Sequence, residues 1–243
     1  MVERPNNGSQ ERQGSSARNN KGRVCVGHGC RLPPVLKHLW LWAKNALTDG
    51  QVSTFLLSQE AFGSTNKKTI FLSDVHALCS GDEISGSIIC MFINVLQEYL
   101  KKHKMSNMVA FVEPAIIGAI GCGTVGDRSR ALSIRFKNAQ PGQIFLLPYN
   151  SVNHWTLTAV NPDSQMVYHM DPLKRRIAAA EEWIEVVDNA IKLYKDKEKK
   201  FLKKKIMWEN LAWLRRSNHA YGITELNAIR IKWAKYFMKK HAT

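Results

Sequence analysis

No apolar run in the sequence approaches the ~18–20 residues that a membrane-spanning helix needs, and the opening residues Met1-Val-Glu-Arg-Pro-Asn-Asn hold no apolar core of the kind a secretory signal carries. We expect no membrane partner and an intracellular location, nucleus or cytoplasm. Cysteine is scarce and irregularly spaced, at Cys25, Cys30, Cys79, Cys90 and Cys122, which excludes a secreted disulfide scaffold and points to a reducing compartment. Acidic residues are also few. Twenty Asp+Glu face 35 Lys+Arg, a formal charge of +15 that favours acidic partners. What is plentiful is core material. With 44% hydrophobic residues in 243, wholesale disorder is excluded, and a chain of this length buries roughly 70–75% of its unfolded surface, enough to fold without a disulfide or metal staple.

The first 35 residues lack apolar side chains that recur with any period and are expected to form a disordered basic arm. Cys25-Val-Gly-His-Gly-Cys30 offers thiols and an imidazole, but a zinc site needs a second ligand pair at a defined distance and the next cysteine is Cys79. We therefore expect no metal and no cofactor.

From residue 36 to 243 the pattern is that of one folded domain. Leu36, Leu39, Trp40, Trp42, Ala43 and Leu47 recur at helical spacing and stop at Asp49-Gly50. Thr69-Ile-Phe-Leu72 reads as a strand, with Ser73-Asp74 capping the turn after it. A second helix spans Ser85 to Leu100, with Ile88, Met91, Phe92, Val95, Leu96 and Tyr99 on its inner face and basic residues after its end. The glycine-broken stretch Ala115 to Gly123 fits no period. Three short β-type runs follow, Ile144 to Pro148, Trp155 to Val160 and Met166 to Met170, separated by turn residues as in a meander. Trp183, Ile184, Val187, Ile191 and Tyr194 then share a helical face. A heavily basic run covers Lys192 to Lys205, and a last helix directs Ile223, Leu226, Ile229, Trp233 and Phe237 inward. Helix, sheet, helix in this order makes the fold class α+β.

His154 stands where a loop enters the second β-run, and Asp171 stands at the end of the third. Out along one strand and back along its antiparallel neighbour, the chain returns the carboxylate to the imidazole. There it can hold one ring nitrogen and leave the other as a base. Each residue alone is also what an ordinary turn contains.

The whole stretch Gly142 to Leu173, with its apolar strand ending in Pro148, its loop, the His154-Trp155 pair, a second strand, a turn and a strand ending in Asp171, resembles the catalytic strands of the ubiquitin-like protein-specific cysteine proteases, which process SUMO-type modifiers. The earlier stretch from Leu72 to Leu96 is similar to the segment facing substrate and the first helix of the plant, transposon-associated branch. The resemblance runs over about residues 36–240. It implies a papain-like or adenain-type fold, a central mostly antiparallel sheet flanked by helices, and cleavage after Gly-Gly. It further implies that His154 and Asp171 are catalytic, that Trp155 walls the channel for the Gly-Gly tail, and that the partner is a ubiquitin-like modifier or its conjugates bound by a monomer. The alternative for Trp155 is plain strand packing.

The family's nucleophile is a cysteine at the start of a helix, where the helix dipole and an imidazolium both favour thiolate. Here the chain reads Trp213-Leu-Arg-Arg-Ser-Asn-His-Ala-Tyr-Gly222, so Tyr221 occupies the nucleophile's place, Arg215 or Arg216 falls where an oxyanion glutamine is expected, and no cysteine follows Cys122. A phenol with an ordinary pKa near 10 and its oxygen well beyond a thiol's reach is a poor substitute, and Ser217 lies outside the first helical turn. The expectation is a family member without hydrolytic activity. The alternatives are a noncatalytic modifier-binding module, or a basic nucleic-acid-binding protein of a mobile element, the last resting on charge alone.

Overall fold

The chain was analysed as a computed structural model, which describes residues 32–119, 122–137, 139–151, 154–173, 180–203, 205–211 and 223–241. Most of the basic arm, with Cys25, His28 and Cys30, lies outside the described residues.

Helix α1, Pro34–Ala46, starts on a proline whose missing N–H costs nothing at the first helical position. Leu36, Leu39 and Ala43 bury its inner face. A two-stranded antiparallel ribbon, β1 Ser53–Leu56 and β2 Lys67–Ile70, encloses the short α2, Gln59–Phe62. The expected strand to Leu72 ends two residues early, because Leu72 already begins α3, Leu72–Ser80. Asp74 accepts the Phe71 N–H at 2.8 Å and so satisfies one orphan donor of the first turn. The long α4, Gly86–Lys102, is capped by Ser85, whose hydroxyl accepts the Ile88 N–H. Its inner face is rotated from the expected one. Tyr99 is 59% exposed and rests against His103, while Asn94 and Gln97 are buried and bonded to Leu56 O and Glu60.

Helix α5, Val125–Phe136, falls where the sequence shows no period. Its start is a capping box, Thr124 with Asp127. Its buried face is Arg128, Ser129, Leu132, Ser133 and Phe136, so three polar residues occupy positions where apolar ones would have announced the helix.

Five strands form the main sheet in the order β3-β4-β5-β6-β7: Val109–Phe111, Ile144–Asn150, Trp155–Asn161, Met166–Met170 and Met207–Asn210. The middle three are the antiparallel meander that the turn signals foretold. The two edge strands pair parallel to it. Against this sheet pack α5 and α6, Glu181–Lys197, giving one core around Phe136, Phe145, Val160, Trp183 and Val187. The second core lies among α1, α3, α4, the ribbon and α7, Ile223–His241, around Leu36, Leu39, Met91, Trp233 and Phe237.

Helix α7 corrects one inward assignment. Ile229 is 43% exposed, and the buried side chains are Arg230, Trp233, Ala234 and Phe237. The guanidinium of Arg230 donates to Leu78 O and Cys79 O, carbonyls of the last turn of α3 that have no partner within their own helix. A buried arginine therefore serves as the cap that joins α7 to α3. The side chains of Ile223 and Leu226 lie outside the described residues.

Candidate functional site

His154 and Asp171 meet. Strand β5 starts one residue after His154 and β6 ends one residue before Asp171, and their register sets Leu157 opposite Met170. The loop at His154 is closed by the Ser151 N–H, which donates to His154 O. Across the strand ends, His154 Nε2 lies 2.8 Å from Asp171 Oδ1. The same carboxylate oxygen accepts the Leu173 N–H at 2.7 Å, a short turn around Pro172 that fixes the side chain. With its Nε2–H given to the carboxylate, the imidazole has Nδ1 without a hydrogen-bond partner among the described residues. The ring is 13% exposed and the carboxylate 6%, so solvent and solutes reach the base more readily than its partner.

A second histidine lies behind the first. His169, two residues before Asp171 on the buried face of β6, places Nδ1 3.0 Å from Thr158 Oγ1, and that hydroxyl accepts the indole N–H of Trp183 at 2.9 Å. The Trp183 bond takes one lone pair of the hydroxyl and leaves its hydrogen and a second lone pair for the contact with His169 Nδ1. Burial lowers the His169 pKa below the ordinary 6.5, with Asp171 opposing the shift and His154 adding to it. A histidine whose folded pKa is depressed stays neutral in the native state while the unfolded chain takes up a proton near pH 6.5. Stability is therefore full above that pH and falls as pH drops through it toward the folded value. Unfolding free energies from urea titrations at pH 7.5 and pH 5.5 should differ more in the native protein than in His169→Gln, with a slope of up to ~1.4 kcal/mol per pH unit below pH 6.5. Equal slopes would remove His169 as the titrating group. The sequence did hold a signal for this residue: Val167, His169 and Asp171 alternate on one face, and two polar side chains at buried strand positions break the apolar pattern.

Trp155, the first residue of β5, donates its indole N–H to Ile84 O at 3.0 Å, tying the sheet to the approach of α4. Its ring forms one wall of a groove of about 440 Å³ between the two cores. Opposite and around it stand Phe71, Gly86, Pro114, Ala115 and Gly118. Phe71 is 52% exposed. The sequence pattern places it in a strand, and an aromatic inside an apolar run carries no mark of a groove wall.

Two of the described thiols, Cys79 and Cys90, are placed for packing. Burial pushes Cys79 up to about 11, against a smaller opposing pull from Arg230, and its thiol donates to Leu36 O. Cys90 is pushed up to about 12, by burial and then by the charge of Glu113. Both are almost wholly protonated at neutral pH and therefore weak nucleophiles. Cys122 lines the groove, half-buried, with its thiol donating to Ala115 O at 2.9 Å. Among the described residues no group of three His, Cys, Asp or Glu is placed to hold a metal ion. Arg215, Arg216, Ser217, Tyr221 and Gly222 lie outside the described residues; α7 begins at Ile223, the next residue in sequence.

No protein-family model and no curated protein matches the sequence. Solved structures do match the fold. A de-SUMOylating protease superposes with a TM-score of 0.52 at 14% identity, covering 76% of this chain and 72% of that one. The C-terminal protease domain of Ulp1, solved in complex with Smt3, the yeast ortholog of SUMO, gives 0.51 at 12% identity over 86% of this chain and 97% of that one. Ulp1 with its catalytic cysteine oxidised to a sulfenic acid gives 0.51 at 11% identity, over 84% and 93%. The chain has the Ulp1-type protease fold: a sheet with an antiparallel centre, flanked by helices.

Proposed function

We propose that this chain is a SUMO-type peptidase homologue that retains the base of the site and the groove for a modifier's tail but performs no thiol hydrolysis. The observation that carries the reading is the His154–Asp171 hydrogen bond of 2.8 Å, one residue along the chain from the groove-lining Trp155, in a Ulp1-type fold whose sequence has no cysteine after Cys122. In the family reaction a thiolate attacks the carbonyl after Gly-Gly, and the imidazole then gives its proton to the leaving amine. Here His154 is the residue that moves the proton, Asp171 orients it, and Trp155 with Phe71 flattens the channel so that only residues without side chains pass. What is missing is the group to be activated.

The second reading, a module that holds a modifier or its conjugate without cutting it, follows from the same features. Recognition of a folded modifier extends well beyond one thiol, and the basic run adds long-range attraction for an acidic partner. Two measurements separate the readings. Purified chain incubated with a SUMO-type precursor should show no turnover; turnover that His154→Ala abolishes would reveal a nucleophile elsewhere in the chain. Titration of a SUMO-type modifier by NMR should show weak, salt-sensitive binding that Trp155→Ala reduces at least ~10-fold, on the order of an anchor aromatic's loss. No binding at millimolar modifier in low salt would end the modifier reading altogether.

A further inference from the structure

The most exposed aromatic among the described residues has no part in the groove. Phe201 is 83% exposed and its neighbour Leu202 45%. They sit in the run from 192 to 205, where the sequence has eight lysines against two acids, Asp196 and Glu198. The segment is held down firmly. Lys200 donates to Asp163 Oδ1 and to the Tyr194 hydroxyl, Lys195 donates to Asp163 O, Lys203 Nζ donates to Ser164 O, and the Lys203 N–H donates to Gln165 Oε1. These bonds fasten it to the turn between β5 and β6. They leave Lys192, Lys197, Lys199 and Lys205 exposed in the same run as Phe201.

The turn at Asp163 lies at one end of β5 and His154 at the other. Seven residues of strand separate them, about 20 Å. A ligand on Phe201 is thus a different ligand from one in the groove, or a different part of a very large one.

We propose that Phe201, with the exposed lysines at 192, 197, 199 and 205, forms a contact for single-stranded nucleic acid. Lysines supply phosphate contacts as point charges, and an exposed ring face is what an unpaired base stacks on. Bases in a duplex are already stacked, so the ring selects single strands. No arginine lies between 192 and 205, so the fork that reads guanine edges is missing and binding is tolerant of sequence. An anionic membrane fits the same charge less well. Surface insertion needs an apolar face buried ~5–10 Å into the lipid boundary, whereas Phe201 and Leu202 are flanked on both sides by lysines bonded down to the β5–β6 turn.

The test uses the full chain and a fluorescein-labelled mixed-sequence single strand of ~20 nucleotides, with its duplex as comparison. Three or four phosphates neutralised give a slope of log K against log salt of about −2 to −3. Phe201→Ala should weaken single-strand binding ~5- to 100-fold and leave the slope unchanged. Lys197→Gln/Lys199→Gln/Lys205→Gln should make the slope shallower by about 2. Trp155→Ala, which weakens the modifier, should leave the oligonucleotide affinity as it was, and Phe201→Ala should leave the modifier affinity as it was, so the two assignments fail separately. The proposal is overturned if duplex and single strand bind alike, or if affinity survives both sets of substitutions, which would assign binding to other basic residues of the chain. It is equally overturned if Phe201-dependent sedimentation with phosphatidylserine vesicles replaces oligonucleotide binding.

Discussion

Replacing Tyr221 with cysteine should let a modifier bearing a C-terminal electrophile capture the chain covalently. Residue 221 precedes by two the start of α7 at Ile223, the order in which the resembling family sets its nucleophile. A thiol starts from a pKa near 8.5 and a phenol from about 10. A helix N-terminus and a neighbouring imidazolium lower the thiol's further. Adding Arg215→Gln supplies a carboxamide donor for the oxyanion, and such a donor is typically worth about 3–4 kcal/mol. Turnover of a SUMO-type precursor by the double variant should then exceed that of Tyr221→Cys alone by roughly two orders of magnitude; Arg216→Gln is the comparison if the register is shifted by one. His154→Ala in the repaired background should return turnover to nothing. If the introduced thiol stays unlabelled in a folded protein whose His154 remains reachable, α7 does not face the strands that carry His154 and Asp171. The resemblance would then end at Leu173.

The parts of this molecule legible in its sequence are those whose chemistry repeats. The meander was readable because β4, β5 and β6 are short runs rich in apolar, aromatic and β-branched residues between turn-forming Asn, Pro and Asp clusters, and the hairpin geometry of two such strands brings position 154 to position 171. Helices α1, α4 and α6 were readable because their apolar positions recur every three or four residues over three or more turns. The resemblance added the Ulp1-type architecture, and the solved neighbours agree on the fold.

The parts that were not legible bury polar groups against long-range partners. Helix α5 hides because Arg128, nearly fully buried, reaches Glu182 and Gly118 O rather than solvent. On α7 the inward residue at the second helical turn is Arg230, whose partners lie about 150 residues earlier at the end of α3. Periodicity therefore chose the wrong neighbour, Ile229. The role of His169, though not its break in the apolar pattern, was hidden for the same reason. Its role comes from Thr158 and Trp183, on a different strand and a helix, and neither partner sits at a spacing that a sequence pattern would pick out. The short parallel edge strands β3 and β7 carry too few residues to show a period at all.

Lys68→Ala should be among the most damaging single changes to the folded state, although it removes a surface-type residue from a two-stranded ribbon. Lys68 Nζ donates to Glu113 Oε1, and Asn66 donates to Oε2 at 3.2 Å. The Glu113 side chain is 6% exposed and that of Lys68 19%. Removing the cation leaves a carboxylate buried with one amide for company, a class of change that costs about 3–5 kcal/mol. The partial exposure of Lys68 admits some water and places the cost toward the lower end. For a chain of this length that lowers Tm by roughly 6–15 °C. Taking both partners away in Lys68→Met/Glu113→Gln should recover most of the loss, because no unpaired charge remains. Should the double variant be as unstable as the single one, packing of the lysine stem and not its charge is what β2 needs. The effect also extends to the groove. Glu113 leads directly into the helical turn Pro114–Ile116, and Pro114 and Ala115 line the channel beside Trp155. Modifier binding should therefore weaken in Lys68→Ala even at temperatures where the protein is folded, and return only in part in the double variant, which still lacks the lysine that lines the groove.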